Sequence, residues 1–88
     1  MPLTKLKKLE TRLRAKPKDF TFEEMKKLLQ GYGYREIKTG KTAGSRAAFV
    51  HDATRHVIRL HRPHPGKIVK RYQLDLIEAE LRTRGIIE

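Results

Sequence analysis

Two short runs, 47–51 and 55–61, are separated only by the short turn Asp52-Ala53-Thr54, and together they read as a β-hairpin. Along the second run Val57, Arg59 and His61 fall on one side, and His56, Ile58 and Leu60 on the other. The hairpin follows Gly44-Ser45 and exits into Pro63-His64-Pro65-Gly66, a turn in which the prolines fix φ and Gly66 frees it. All four histidines, His51, His56, His61 and His64, lie here, with Arg46, Arg55, Arg59 and Arg62 among them. Imidazole and guanidinium at this density suit the handling of phosphate.

An isolated hairpin is marginal in water, so the rest of the chain must cover one of its faces. Residues 1–18 place Leu3, Leu6, Leu9 and Leu13 at helical spacing, with Lys5, Lys7, Lys8, Arg12 and Arg14 on the other faces. Two readings of this helix stay open: one docked on the core with a solvated basic face, or an extension facing RNA or a partner. Pro17 ends it, because the residue before proline disfavours the helical region. A second helix starts at the capping box Thr21/Glu24, with Phe20 and Met25 as its hydrophobic staple. Phe22, Met25, Leu28, Leu29 and Tyr32 form its apolar face, and Gly31 and Gly33 are expected to stop it through positive φ.

Residues 34–38 read as a strand with one wet face. The basic loop 38–44 (KTGKTAG) lacks the Walker spacing but can still touch phosphate through Lys41. The closing helix is predicted over 69–84 from Leu74, Ile77 and Leu81, with Gly85 and Ile86 in a Schellman ending. Lys67, Lys70 and Arg71 gather near its start, where free backbone N–H groups attract anions; the tail of a solvated charge run is the plainer alternative. The order of helix, helix, three antiparallel strands and helix gives an α+β fold with its helices on one sheet face. We divide it into a basic amphipathic helix, 1–18, and a domain, 19–88.

Eighty-eight residues support one small core and a shallow site. There is no cysteine, hence no disulfide and no thiolate chemistry. No apolar run approaches the length of a membrane span and no apolar signal core opens the chain, so a cytoplasmic location away from membranes is expected. A net charge of +11 opposes folding by self-repulsion and points to a polyanion: nucleic acid first, with an acidic protein as a compatible second partner. The plainer readings of the histidines are an exposed position for His51 and His56, and hydrogen bonds to the turn for His61 and His64. No metal or other cofactor is expected, since the only close pair, His61-Arg-Pro-His64, has no carboxylate beside it. Phe49 and Tyr72 could stack on bases, although core packing is the expectation for both.

The helix before GYGYREI, the glycine-serine opening of the second strand, a third strand ending in HRPHPG, and a lysine-rich start to a helix ending in GII together resemble the HicA toxin family over about residues 20–87. The resemblance implies a double-stranded-RNA-binding-like α-β-β-β-α fold, here with an extra N-terminal helix. It implies a ribosome-independent endoribonuclease that cleaves mRNA without metal. It further implies neutralisation by an acidic HicB-like antitoxin, through which a DNA-bound complex could form. The family motif is glycine-serine-histidine, with the histidine catalytic; this chain has Gly44-Ser45-Arg46, so Arg46 stands at that position. Arginine keeps its proton near neutral pH and cannot be a general base, but it can clamp a phosphate bidentately. His64, Pro65 and Gly66 match the family turn, and Lys67 and Lys70 its basic helix start.

Three readings follow: a nuclease with another histidine as acid or base, an RNA binder that does not cut, or a module that chiefly occupies its antitoxin. The candidate catalytic residues are His64 and His61. Ser45, Arg46, Arg59, Arg62, Lys67, Lys70, Arg71 and Lys41 are expected to contact RNA, with Ser45 orienting the phosphate.

Overall fold

Thr21 starts its helix as the sequence predicts: its hydroxyl accepts from the Glu24 N–H at 3.1 Å, while the Glu24 carboxylate accepts from the Thr21 N–H at 3.0 Å. The computed structural model describes residues 2–37, 46–63 and 66–87. Its elements are α1 (Pro2–Ala15), α2 (Phe22–Gly31), β1 (Tyr34–Ile37), β2 (Arg46–His51), β3 (Val57–His61) and α3 (Arg71–Thr83). The strands form one antiparallel sheet in the order β1-β2-β3. This is the expected α+β layout, helices behind a three-stranded sheet. The loop 38–44 with Lys41, together with Ser45, His64 and Pro65, lies outside the described residues.

The core lies between sheet and helices. Phe49 and Ile58 face inward from β2 and β3, Met25 and Leu28 from α2, and Leu74 and Ile77 from α3. The Phe22 and Phe49 rings meet at 6.4 Å between centroids. Leu13 of α1 is fully buried, while Leu6 and Leu9 pack half-covered against the core's edge. No described helix is long and apolar enough to cross a membrane.

Several boundaries differ from the sequence reading. Gly31 does not stop α2; it is helical, and a Cβ there would stand 2.6 Å from Leu6 Cδ1, so its bareness admits α1. Gly33 takes the positive φ (+98°) instead. β3 begins at Val57, because Arg55 turns at φ 63° and its N–H returns to the His51 C=O. α3 begins only at Arg71: the Val69 N–H is spent on the Phe20 C=O, and Ile68 bridges Thr21. At its far end the Schellman pair is present, Ile86 N–H to Leu81 C=O and Gly85 N–H to Arg82 C=O.

Charged side chains hold α1 in place. Lys16, at φ 53°, ends the helix and reaches Asp75 (3.2 Å) and Glu78 on α3. Arg12 meets Asp19 and Glu24, and the Tyr32 hydroxyl donates to Glu10. The Lys16 ammonium, outweighing the cost of burial, holds Glu78 below its ordinary pKa of 4.5. Burial alone would raise Glu24, but the Thr21 N–H and the Arg12 guanidinium prevail and lower it. The unfolded chain therefore binds more protons than the folded one in this range. The stabilisation is complete above about pH 5 and is lost as pH falls through the lowered folded values. Urea midpoints measured against pH are expected to decline below about 4.5, and Glu24→Gln with Glu78→Gln should flatten that decline.

Candidate nucleic-acid interface

In an antiparallel pair, hydrogen-bonded and non-hydrogen-bonded residue pairs alternate, and facing side chains come closest in the second kind. The His51 N–H donates to the His56 C=O at 2.9 Å, which makes that pair hydrogen-bonded. Counting along the register, Val50–Val57, Ala48–Arg59 and Arg46–His61 are then the close, non-hydrogen-bonded pairs. The His61 backbone agrees with this. Its N–H donates to Gln73 Oε1 at 2.7 Å and its C=O accepts from Gln73 Nε2 at 3.3 Å, so neither group is spent on β2.

Arg46, Arg59 and His61 are exposed, while the alternate residues Ala47, Ile58 and Leu60 are buried beneath the helices. Arg46 thus stands directly opposite His61, at about 4.5 Å between Cα atoms for a pair of this kind, with Arg59 on the diagonal at about 7–8 Å. Among the described residues neither arginine has a carboxylate partner, and the same holds for Lys67, Lys70 and Arg71. Arg62 differs. It pairs with Glu36, and its guanidinium lies 5.4 Å from the centre of the Phe22 ring.

Gln73, 5% exposed and the only buried polar residue among those described, fixes the relation of helix to sheet. By gripping the end of β3 it brings the first turn of α3 beside His61. That turn contains no acidic residue, and Lys70 provides no side-chain cap. The N-terminal N–H groups and the exposed Lys70 and Arg71 therefore form an uncompensated positive end next to the Arg46–His61 pair. Gln73→Leu is expected to cost about 1–3 kcal/mol, because it strands polar groups that Gln73 satisfies; denaturant titration checks this.

The other described histidines serve the fold. His51 Nδ1 accepts from the N–H groups of Ala53 (3.1 Å) and Thr54 (3.3 Å), capping the hairpin turn. His56 corrects the expectation of an exposed residue: its side chain is only 9% exposed. Its Nδ1 lies 2.7 Å from the Tyr34 hydroxyl and its Nε2 3.2 Å from Glu80, joining β1, the hairpin and α3. Burial raises the Tyr34 phenol, which keeps that hydroxyl protonated. Phe49 is core, as expected, but Tyr72 is not: it is 55% exposed on α3. Among the described residues no three His, Asp or Glu side chains are grouped as a metal ion would need.

The sequence reading missed Gln73. The available signal was a polar residue at a core position of α3, four residues before Ile77, which calls for a hydrogen-bonding role. Register brings Arg46, Arg59 and His61 together on one face, and the Gln73 contact sets the start of α3, with Lys70 and Arg71, at the end of β3. Lys67 sits further round, its C=O accepting from Phe22 N–H at 2.8 Å at the start of α2. Lys41, Ser45 and His64 fall outside the described residues.

Fold and site together define a small basic α+β domain whose open sheet face carries an imidazole and arginines without a carboxylate partner among the described residues. A family model described as HicA toxin of bacterial toxin-antitoxin matches residues 22–86, about three quarters of the chain. The chain therefore belongs to the HicA toxin family of bacterial toxin–antitoxin systems, whose members pair with antitoxins. No curated protein and no solved structure matches it. The match begins after α1, which is additional to the family's extent.

Proposed function

We propose that this chain is a toxin that binds RNA on the open sheet face and cleaves mRNA as a metal-independent endoribonuclease. The observation that carries the reading is the close Arg46–His61 pair, with Arg59 diagonal to it and no described carboxylate compensating either arginine. In this mechanism a neutral imidazole takes the proton of a ribose 2′-OH. The 2′-oxygen attacks the adjacent phosphorus, the P–O5′ bond breaks, and an imidazolium protonates the departing 5′-oxygen, leaving a 2′,3′-cyclic phosphate. His61 and His64 are the candidates for the two roles. Arg46, in place of the family's histidine, clamps the phosphate and stabilises the charge that builds on its oxygens. Arg59, Lys70 and Arg71 extend the backbone contact, with Lys67, Lys41 and Ser45 as further contacts.

Other parts of the reading follow from family and charge. The toxin acts in the cytoplasm and is neutralised by an acidic HicB-like antitoxin, which could also carry it into a DNA-bound complex. Residues 19–88 form the functional domain and 1–18 an appended helix. A second reading, RNA binding without cleavage, is favoured by one fact: with His51 and His56 engaged in the fold, His61 is the single imidazole left on the described open face.

The test is incubation of the purified chain with end-labelled mRNA in excess chelator, beside a gel-shift series in increasing salt. Fragments ending in 2′,3′-cyclic phosphate support the nuclease. A salt-sensitive shift without fragments selects the binder. Neither fragments nor a shift would sink both.

A further inference from the structure

α1 packs mainly on α2, and between them runs a groove of about 570 Å³. Its floor is apolar, made by Leu6 and Leu9 of α1 and the bare backbone at Gly31. Both leucines are only partly buried, although α1 approaches so closely that a Cβ at Gly31 would collide with Leu6. The rims are cationic on both sides, Lys5 and Lys8 from α1 and Lys27 from α2. Arg12 and Glu24 also line the groove, but they neutralise each other at 2.8 Å. The three lysines have no carboxylate partner among the described residues.

An apolar floor between two uncompensated cationic rims matches a ligand with an apolar ridge flanked by acids on both sides. Helix-in-groove recognition presents that arrangement. Nucleic acid fits less well: no aromatic ring lines the groove to stack a base, and phosphates gain nothing from leucine. A second copy of this chain fits worse, because at net charge +11 it would bring like charge to these rims. We propose that the α1–α2 groove takes an acidic amphipathic helix from a partner protein. This surface is separate from the open sheet face, and the proposal does not depend on RNA cleavage.

The probe is a fluorescein-labelled amphipathic peptide of roughly 15 residues, leucines along one face and glutamates on the flanks, titrated into the full chain by anisotropy. A shuffled peptide of equal composition and a short single-stranded RNA competitor accompany it. The amphipathic peptide is expected to bind about tenfold or more tighter than the shuffled one, and to shift the amide resonances of Leu6, Leu9 and Gly31. Lys8→Glu with Lys27→Glu, both exposed positions, should weaken it about tenfold or more, and Leu9→Gln should weaken it with the charges intact. Equal affinity for both peptides, indifference to these substitutions, displacement by the RNA, or no binding would each overturn the proposal.

Discussion

His61→Ala is expected to slow RNA cleavage by about 10²–10⁴-fold, the range that a positioned general acid or base supplies. The fold should be indifferent to the change. The side chain is exposed, and what ties residue 61 to α3 is its backbone, held by Gln73 at 2.7 and 3.3 Å. RNA affinity should fall little, since the phosphate contacts assigned to Arg46, Arg59 and the α3 start remain. Arg46→Ala should behave differently. It removes a cation that meets both ground state and transition state, so it should weaken the gel shift and also slow cleavage by about 10²–10³-fold. Single-turnover rates on labelled mRNA, beside circular dichroism and gel shifts, separate the two. A His61→Ala variant that cuts as fast as its parent transfers the acid–base work elsewhere and removes His61 from the mechanism.

Phe49→Ala is expected to cost about 3–5 kcal/mol. Phe49 is fully buried on the central strand, packed on Phe22 from below and paired with Glu36 on one side and Ile58 on the other. Small domains are stable by only about 5–15 kcal/mol in total. Converted at about 4–8 °C per kcal/mol for a domain of this size, the loss corresponds to a melting temperature lower by on the order of 12–40 °C. Thermal melts followed by circular dichroism measure it. A shift of a few degrees would mean that the helices can collapse into the space, and that the layer between sheet and helices is looser than its geometry indicates.

Much of this architecture was legible because local signals agreed with one another. The capping box, the two strands joined by a short turn and the Gly85–Ile86 ending each name their own geometry, and each is present. The sequence could not show long-range use of polar atoms. His56 reads as a surface histidine until Tyr34 and Glu80, each more than twenty residues away, are folded onto it. Gly31 reads as a helix stop because its real reason, the approach of Leu6, lies in another helix. The start of α3 was misplaced for the same cause: Val69 continues the apolar pattern, yet its N–H is claimed by Phe20. In the site, Arg59 and His61 were legible as neighbours on one side of their strand, but Arg46's place opposite His61 came only from the strand register.

That register has a consequence for how the interface can fail. The period of a strand is two, so a slip of one residue between β2 and β3 turns a whole set of side chains to the opposite face. Such a slip would drive guanidinium groups under the helices and push aromatic surface into water. Misaligned hairpins are therefore excluded by the same burial that stabilises the aligned one, and Arg46 meets His61 only in a molecule whose interior has already closed. Competence toward RNA is in this sense tied to folding: a newly made chain offers the pair as a unit or not at all.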